Sequence, residues 1–304
     1  MSSKTDPNYE ILLYYNYTNI EEPDKFTAEH KQLCADLGLT GRILISDEGI
    51  NGTVEGLRTN TQKYVETFLA DPRFANTHFK RSEGIGDAFP KLSVKHRPEI
   101  VSSYISKKKV DPRHKTAGYI SAEELHELIN SDEEFYIIDM RNDYEHRVGH
   151  FDNSILPPMK NFRELPEVME SISHLKDKQV ITVCTGGIRC EKAAAFLLEE
   201  GFSNVRQLYG GIVTYMEKYP NQDFLGKLYV FDKRMVMGFN TDAPEHVVIS
   251  SCDKCGEKSD NYVDCTRDHC QHKHRHFICC LDCLDANGGQ ALCCSECEQI
   301  HKSE

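Results

Sequence analysis

No apolar run in the 304 residues approaches the roughly 18 needed to cross a bilayer, so no membrane-spanning helix is expected. The opening residues, MSSKTDPNYE, lack the apolar stretch of a secretory signal, and the expected location is the cytoplasm. Cysteine is scarce in the first 250 residues, where only Cys34, Cys184 and Cys190 occur, which argues against a disulfide-stapled scaffold. Positive charge is also in deficit: a net charge of −12 argues against a chain that coats nucleic acid without specificity. Large aliphatic residues become rare after Asn240, so that segment cannot build a sizeable core unaided.

What is present is an ordinary globular composition, 39% hydrophobic and 28% charged, in a chain long enough for two or three domains. The first third predicts strands over residues 9–17, 42–45, 52–55 and 76–81 and helices over 24–37 and 60–70, the second capped by Asn60. That β-α-β-β-α-β order is the ferredoxin-like split βαβ arrangement, assigned to residues 1–105. Cys34 lies on the apolar face of the first helix and is expected in the core.

Ten Lys/Arg against four acids lie between Thr77 and Lys115. The stretch reads equally as a solvated linker, which residues 102–116 resemble in composition, or as a phosphate-backbone patch carrying Lys107, Lys108, Lys109 and Arg113.

Residues 106–224 read as a second alternating unit. Ser121 and Glu124 form a capping box before AEELHELI. Strands are expected at 135–138, 179–183 and 205–208, and helices at 163–174 and 191–200, which indicates a parallel sheet covered on both faces. Reactive groups in such sheets sit at the carboxyl ends of strands, where Asp139 and Cys184 fall. After the strand QVITV, Cys184 opens a turn made of Thr185, Gly186, Gly187 and Ile188, and Arg189 stands where a helix begins. Glycines that let amides point inward, a helix N-terminus and a guanidinium are conditions that lower a thiol pKa into the range of about 3.5–7.5. The expected product is a nucleophilic thiolate or persulfide; the alternative is a buried cysteine beside a structural turn. Cys190 either resolves an oxidised Cys184 or packs.

Residues 225–304 hold the other ten cysteines, spaced as Cys252-x2-Cys255, Cys265-x4-Cys270, Cys280-x2-Cys283 and Cys294-x2-Cys297, with Cys279 and Cys293 doubling two of the pairs. Four pairs match one or two tetrahedral zinc ions that would supply folding free energy, with His269, His272, His274 and His276 as rival ligands and an iron–sulfur cluster as the other possibility.

The central unit resembles rhodanese-like domains: Asp139-Met140-Arg141 with Glu145, then GHFDNSILP at 149–157, then Cys184 to Arg189, then Val205, Leu208, Gly210, Gly211 and Tyr215. Its Cys-x4-Arg loop resembles the sulfur-binding type and is shorter than the Cys-x5-Arg loop of dual-specificity phosphatases. With GRILISDEGINGTVEG ahead of CTGGIRCEKA and GKLYVFDKR ahead of the cysteine pairs, the chain is similar over nearly its whole length to the rhodanese-related tRNA uridine(34) hydroxylases. The resemblance implies oxygen-dependent 5-hydroxylation of the wobble uridine in a subset of tRNAs. Cys184 would be the reacting residue, molecular oxygen the co-substrate and a tRNA anticodon stem-loop the partner. Tyr104, Tyr119 or Tyr144 would then be placed to stack on an unpaired base. No facial triad, flavin or haem signature accompanies this, and a thiosulfate or persulfide sulfurtransferase acting on a protein or tRNA-thiolation acceptor stays open. The cysteine-rich tail is longer than in many bacterial members of the family.

Overall fold

The computed structural model describes residues 6–106, 110–267, 270 and 276–303. Among these, no helix is long and apolar enough to cross a membrane.

The N-terminal layer contains β1 (Asp6–Tyr17), α1 (Pro23–Asp36), β2 (Thr40–Ser46), β3 (Gly49–Leu57), α2 (Arg58–Leu69), β4 (Lys80–Gly84) and β5 (Leu92–His96). Its sheet order is β4-β1-β3-β2-β5, antiparallel except for the parallel β2–β5 edge. This is the expected split βαβ arrangement with one strand added. The short, basic LSVKH buries only Val94, so its pattern carried no strand signal. Helix α2 also starts earlier than expected: β3 runs into it through Leu57, and Asn60 lies in its first turn instead of capping it.

Period-2 alternation in β1 explains why this strand shows no polar face. Leu12 and Tyr14 enter the layer's own core with α1, α2 and the fully buried Cys34, while Leu13 on the other face packs against the next domain.

That domain comprises β6 (Gly118–Ile120), α3 (Ala122–Ile129), β7 (Tyr136–Asp139), α4 (Asp143–His146), β8 (Gly149–Phe151), α5 (Leu165–Ile172), β9 (Gln179–Val183), α6 (Ile188–Glu199), β10 (Asn204–Leu208) and α7 (Gly211–Lys218). The order β6-β10-β9-β7 is parallel throughout. Along β9, Val180 belongs to the core under α5 and α6, and Ile181 and Val183 to the core under α3 and α7. Burial on both faces is why these strands read as continuous apolar runs. The Ser121–Glu124 capping box forms as expected. The polar stretch before it is no loose linker: Ile105, Val110 and Ala117 are buried in the first of these cores.

The remaining chain adds β11 (Phe224–Gly226), which pairs antiparallel with β8, a two-stranded β12 (Leu228–Tyr229) and β13 (Val236–Met237), then β14 (Tyr262–Asp264), β15 (His276–Ile278), α8 (Leu281–Ala286) and α9 (Ser295–Ser303). Tyr262 donates to the Tyr144 carbonyl at 2.9 Å and packs with Tyr229 and Val148, which docks the tail beside α4.

Candidate functional site

Strand β9 ends at Val183 and α6 begins at Ile188, so Cys184 sits on the turn between them. Gly187 caps the helix at φ 102°, a conformation that only glycine adopts without strain. Its N–H donates to Cys184 Sγ at 3.2 Å, and the amide of Cys190 donates to the same sulfur. Burial by itself pushes the Cys184 thiol up. The Cys190 S–H, the Arg189 charge and the two amides outweigh burial and bring it down to about 6, from an ordinary 9.0. Cys190 moves the opposite way, well above the ordinary range, through burial and its bond to the Cys184 sulfur. The pair is thereby split: its surroundings favour the thiolate on Cys184 and the protonated, donating thiol on Cys190.

The rest of the loop holds that arrangement. Arg189 is buried and lies bidentate on the fully buried Glu145 of α4, at 2.5 and 2.8 Å, with Thr185 Oγ1 at 3.2 Å. Its charge reaches the sulfur from a neutralised pair, not as the free cation the sequence suggested. Asp139 and Arg141 form their own fully buried pair at 2.6 Å, with Arg141 also donating to the Gly149 carbonyl. The same Asp-x-Arg turn recurs at Asp71–Arg73, Asp111–Arg113 and Asp232–Arg234, each with the arginine amide and guanidinium on the aspartate. Asp139-Met140-Arg141 is thus one of four such turns among the described residues, and the one that is fully buried.

Cys184 is fully buried. The roof is β1: a Cβ added to Gly186 would meet Leu13 at 2.8 Å, and one added to Gly187 would meet the Tyr15 hydroxyl at 2.8 Å. Tyr15 and Tyr119 both donate to Glu191 Oε1, at 2.9 and 2.8 Å, while Gln207 donates to Oε2 at 3.1 Å. On the next residue of α6, the buried Lys192 donates to Glu48 at 3.0 Å, Glu99 at 2.7 Å and the Val101 carbonyl at 3.3 Å. These charges tie the two layers together. Sequence reading missed Tyr15, Glu48, Glu191 and Lys192, although SDEGIN at 46–51 and EK after Cys190 each put an unusual charge next to apolar residues.

Beside this roof, a cleft of about 290 Å³ opens between the layers, lined by Tyr15, His78, Lys80, Tyr119, Glu191 and Tyr209 among others. Arg113 also lines it, with its guanidinium engaged by Asp111, Asn19 and the Asp47 carbonyl. Lys107, Lys108 and Lys109 lie outside the described residues. Of the tyrosines expected to stack on a base, Tyr144 packs against Tyr229 and His276, Tyr119 edges the cleft, and the exposed Tyr104 carries Arg163 over its ring at 4.7 Å.

In the tail, two cysteine quartets have all their sulfurs within 4.8 Å of one another: Cys252, Cys255, Cys280 and Cys283, and Cys265, Cys270, Cys293 and Cys297. They alternate along the chain, so the first pair closes with the third and the second with the fourth. Each quartet can hold a metal ion. Cys294 was the ligand expected from the last pair, but Cys293 stands in the quartet, with its sulfur 3.5 Å from Cys270 and 3.7 Å from Cys297. Cys279 is buried against Cys252 and Phe277, where burial pushes it up to about 11. His276 bonds Asp264 at 2.6 Å and joins neither quartet; His269, His272 and His274 lie outside the described residues.

A buried, ionised cysteine on a Cys-x4-Arg turn at the carboxyl end of a parallel sheet defines a rhodanese-type thiol site. The profile of the Rhodanese-like domain matches residues 121–218, that of the UPF0176 acylphosphatase like domain residues 9–100, and that of the Rhodanase C-terminal region residues 225–298. A tRNA uridine(34) hydroxylase of Cytophaga hutchinsonii is 44% identical over 291 residues, covering 96% of this chain and 90% of its own. Relatives with the same name from Bacillus licheniformis and Bacillus pumilus are 42% and 45% identical, covering 89% and 88% of this chain and 83% of theirs. Among solved structures, a rhodanese-related protein from Thermoplasma volcanium is 29% identical over 33% of this chain and 92% of its own, with a TM-score of 0.28. The chain belongs to the tRNA uridine(34) hydroxylase family, and its cysteine pairs lie within the residues matched by the Rhodanase C-terminal profile.

Proposed function

We propose that this chain hydroxylates C5 of uridine 34 in a subset of tRNAs, with molecular oxygen as co-substrate and Cys184 as the reacting sulfur. The observation that carries this reading is a thiolate stabilised in a rhodanese turn, in a chain matching named hydroxylases over nearly its whole length. The loop amides and the Glu145-held Arg189 keep the sulfur nucleophilic and offer hydrogen bonds to whatever anion forms on it. An anticodon loop, whose unpaired bases can be splayed out, suits a cleft of this size.

Each cysteine quartet is proposed to hold one zinc ion as a structural centre. Four thiolates at about 2.3 Å from a tetrahedral ion lie about 3.8 Å apart. The sulfur separations of 3.5 Å for Cys255–Cys280 and 3.8 Å for both Cys265–Cys297 and Cys270–Cys297 fit that cage. The ions would fold the tail, which has little apolar core of its own.

Nucleoside analysis of tRNA from cells lacking the protein tests the reading. Loss of 5-hydroxyuridine and its alkylated derivatives, restored by the wild-type chain and not by Cys184→Ala, is expected. Intact 5-hydroxyuridine with altered thiolated nucleosides would replace hydroxylation by sulfur transfer.

A further inference from the structure

Lys80 presents an unusual combination. It is 7% exposed, and among the described residues its ammonium meets the Tyr15 ring but no hydrogen-bond acceptor or ion-pair partner. It lies over the Tyr15 ring at 4.7 Å from the centroid and lines the cleft beside the Cys184 turn. Burial pulls the Lys80 ammonium down to about 8 against the opposing charges of Cys184 and Glu191, and no hydrogen bond or ion pair joins it to Glu191 across the cleft that both line, a donor-only group facing an acceptor-only one. Glu191 is held in place by three donors: Oε1 accepts from the Tyr15 and Tyr119 hydroxyls and, among the described residues, Oε2 accepts from Gln207 alone, which leaves it further acceptor capacity. Tyr209 lines the same cleft half-exposed, with His78 stacked on it at 5.2 Å and an interplanar angle of 5°, and Tyr119 edge-on at 5.6 Å.

With only the Tyr15 face beside it, the Lys80 ammonium keeps its donors free for a group that enters the cleft. The ligand must therefore bring an acceptor for Lys80, a flat face for Tyr209 and, beside the acceptor, a donor for Glu191. Uracil carries the O4 acceptor next to the N3–H donor. Cytosine carries the reverse, an amino donor next to an N3 acceptor, and would set donor against donor at Lys80 and acceptor against acceptor at Glu191.

We infer that this cleft is a uracil-reading pocket, in which Lys80 donates to O4, Glu191 accepts from N3–H and Tyr209 stacks on the ring. The inference rests on the proposed action at uridine 34 and names the residues that select the base. Cytosine is rejected because the pocket's buried polar groups would be left mispaired, the most discriminating kind of recognition.

The test uses the full-length, metal-loaded protein and two anticodon stem-loop RNAs that differ only in U or C at position 34. Wild type is expected to bind the U34 RNA about 10- to 100-fold more tightly, the range for one hydrogen bond to a charged group. Lys80→Met keeps the stem's packing on Tyr15 and should narrow the U34 preference by about tenfold, leaving the part that Glu191 supplies. Lys80→Arg, which keeps a donor, should retain part of the preference. Tyr209→Ala should weaken both RNAs alike, by about tenfold or more. Unchanged thermal unfolding and an unchanged Cys184 alkylation profile in Lys80→Met would show that the fold and the thiol are intact. Full U34 preference in a folded Lys80→Met protein overturns the pocket, as does a wild type that hydroxylates U34 yet binds both RNAs equally. A wild type that binds neither RNA, in cells whose 5-hydroxyuridine does not depend on it, overturns the hydroxylase reading itself.

Discussion

Substituting Cys190 by alanine tests the most specific electrostatic feature of the thiol site. Cys184 ionises near 6 although it is fully buried, and the S–H of Cys190 is the largest influence lowering it. The drop from 9.0 to about 6 corresponds to about 4 kcal/mol of preference for the thiolate, net of burial. A hydrogen bond to a charged group contributes about 1.5–3 kcal/mol, and a thiol is a weak donor, so the lower figure applies. Cys190→Ala should then raise the Cys184 midpoint by about one pH unit. At pH 6.5 the thiolate fraction falls from roughly three-quarters to roughly one-quarter. The assay is alkylation by iodoacetamide across a pH series, read by mass spectrometry on the peptide containing Cys184. Normalising each profile to its own plateau removes differences in access. A variant midpoint within about 0.3 unit of wild type would refute the role of Cys190, and a wild-type midpoint near 9 would refute the ionised site altogether.

Four other outcomes follow from the same contacts. Because the folded midpoint of Cys184 lies below its unfolded value, its contribution to stability is absent below about pH 6, grows between about 6 and 9 and is complete above. The urea-unfolding difference between wild type and Cys184→Ser should therefore widen over that interval by up to ~4 kcal/mol; a flat difference would contradict it. Lys192→Met leaves Glu48 buried beside a lost partner and should destabilise the chain by about 3–5 kcal/mol, measurable by urea unfolding. Gly187→Ala forces a Cβ to within 2.8 Å of the Tyr15 hydroxyl at φ 102° and should cost more than 1 kcal/mol by urea unfolding and slow Cys184 alkylation; unchanged stability would contradict the backbone geometry and unchanged alkylation the roof contact. Metal analysis of reduced protein should give two equivalents of zinc, lowered to one by Cys293→Ser and unchanged by Cys294→Ser.

The parts of this molecule that were legible in the sequence are those set by local pattern. The capping box at Ser121, the apolar strand QVITV and the glycine turn after Cys184 each encode their geometry within a few residues. The edge strand β5 was not legible, because five residues with one buried side chain give no periodicity to detect. Non-local groups were hidden for a different reason. Lys80, Glu191 and Lys192 look like surface charges in sequence, and only the meeting of two layers buries them. The choice of Cys293 over Cys294 depends on which of two adjacent sulfurs faces Cys270, and pair spacing alone is blind to that.

The closing of β1 over Gly186 and Gly187 has a bearing on how the sulfur survives. A thiolate ionised at neutral pH is the form that oxidants attack, yet here Leu13 and Tyr15 shut it away from bulk solvent. The same cover that shields the sulfur from oxidants also keeps it from any substrate as long as β1 stays closed over it.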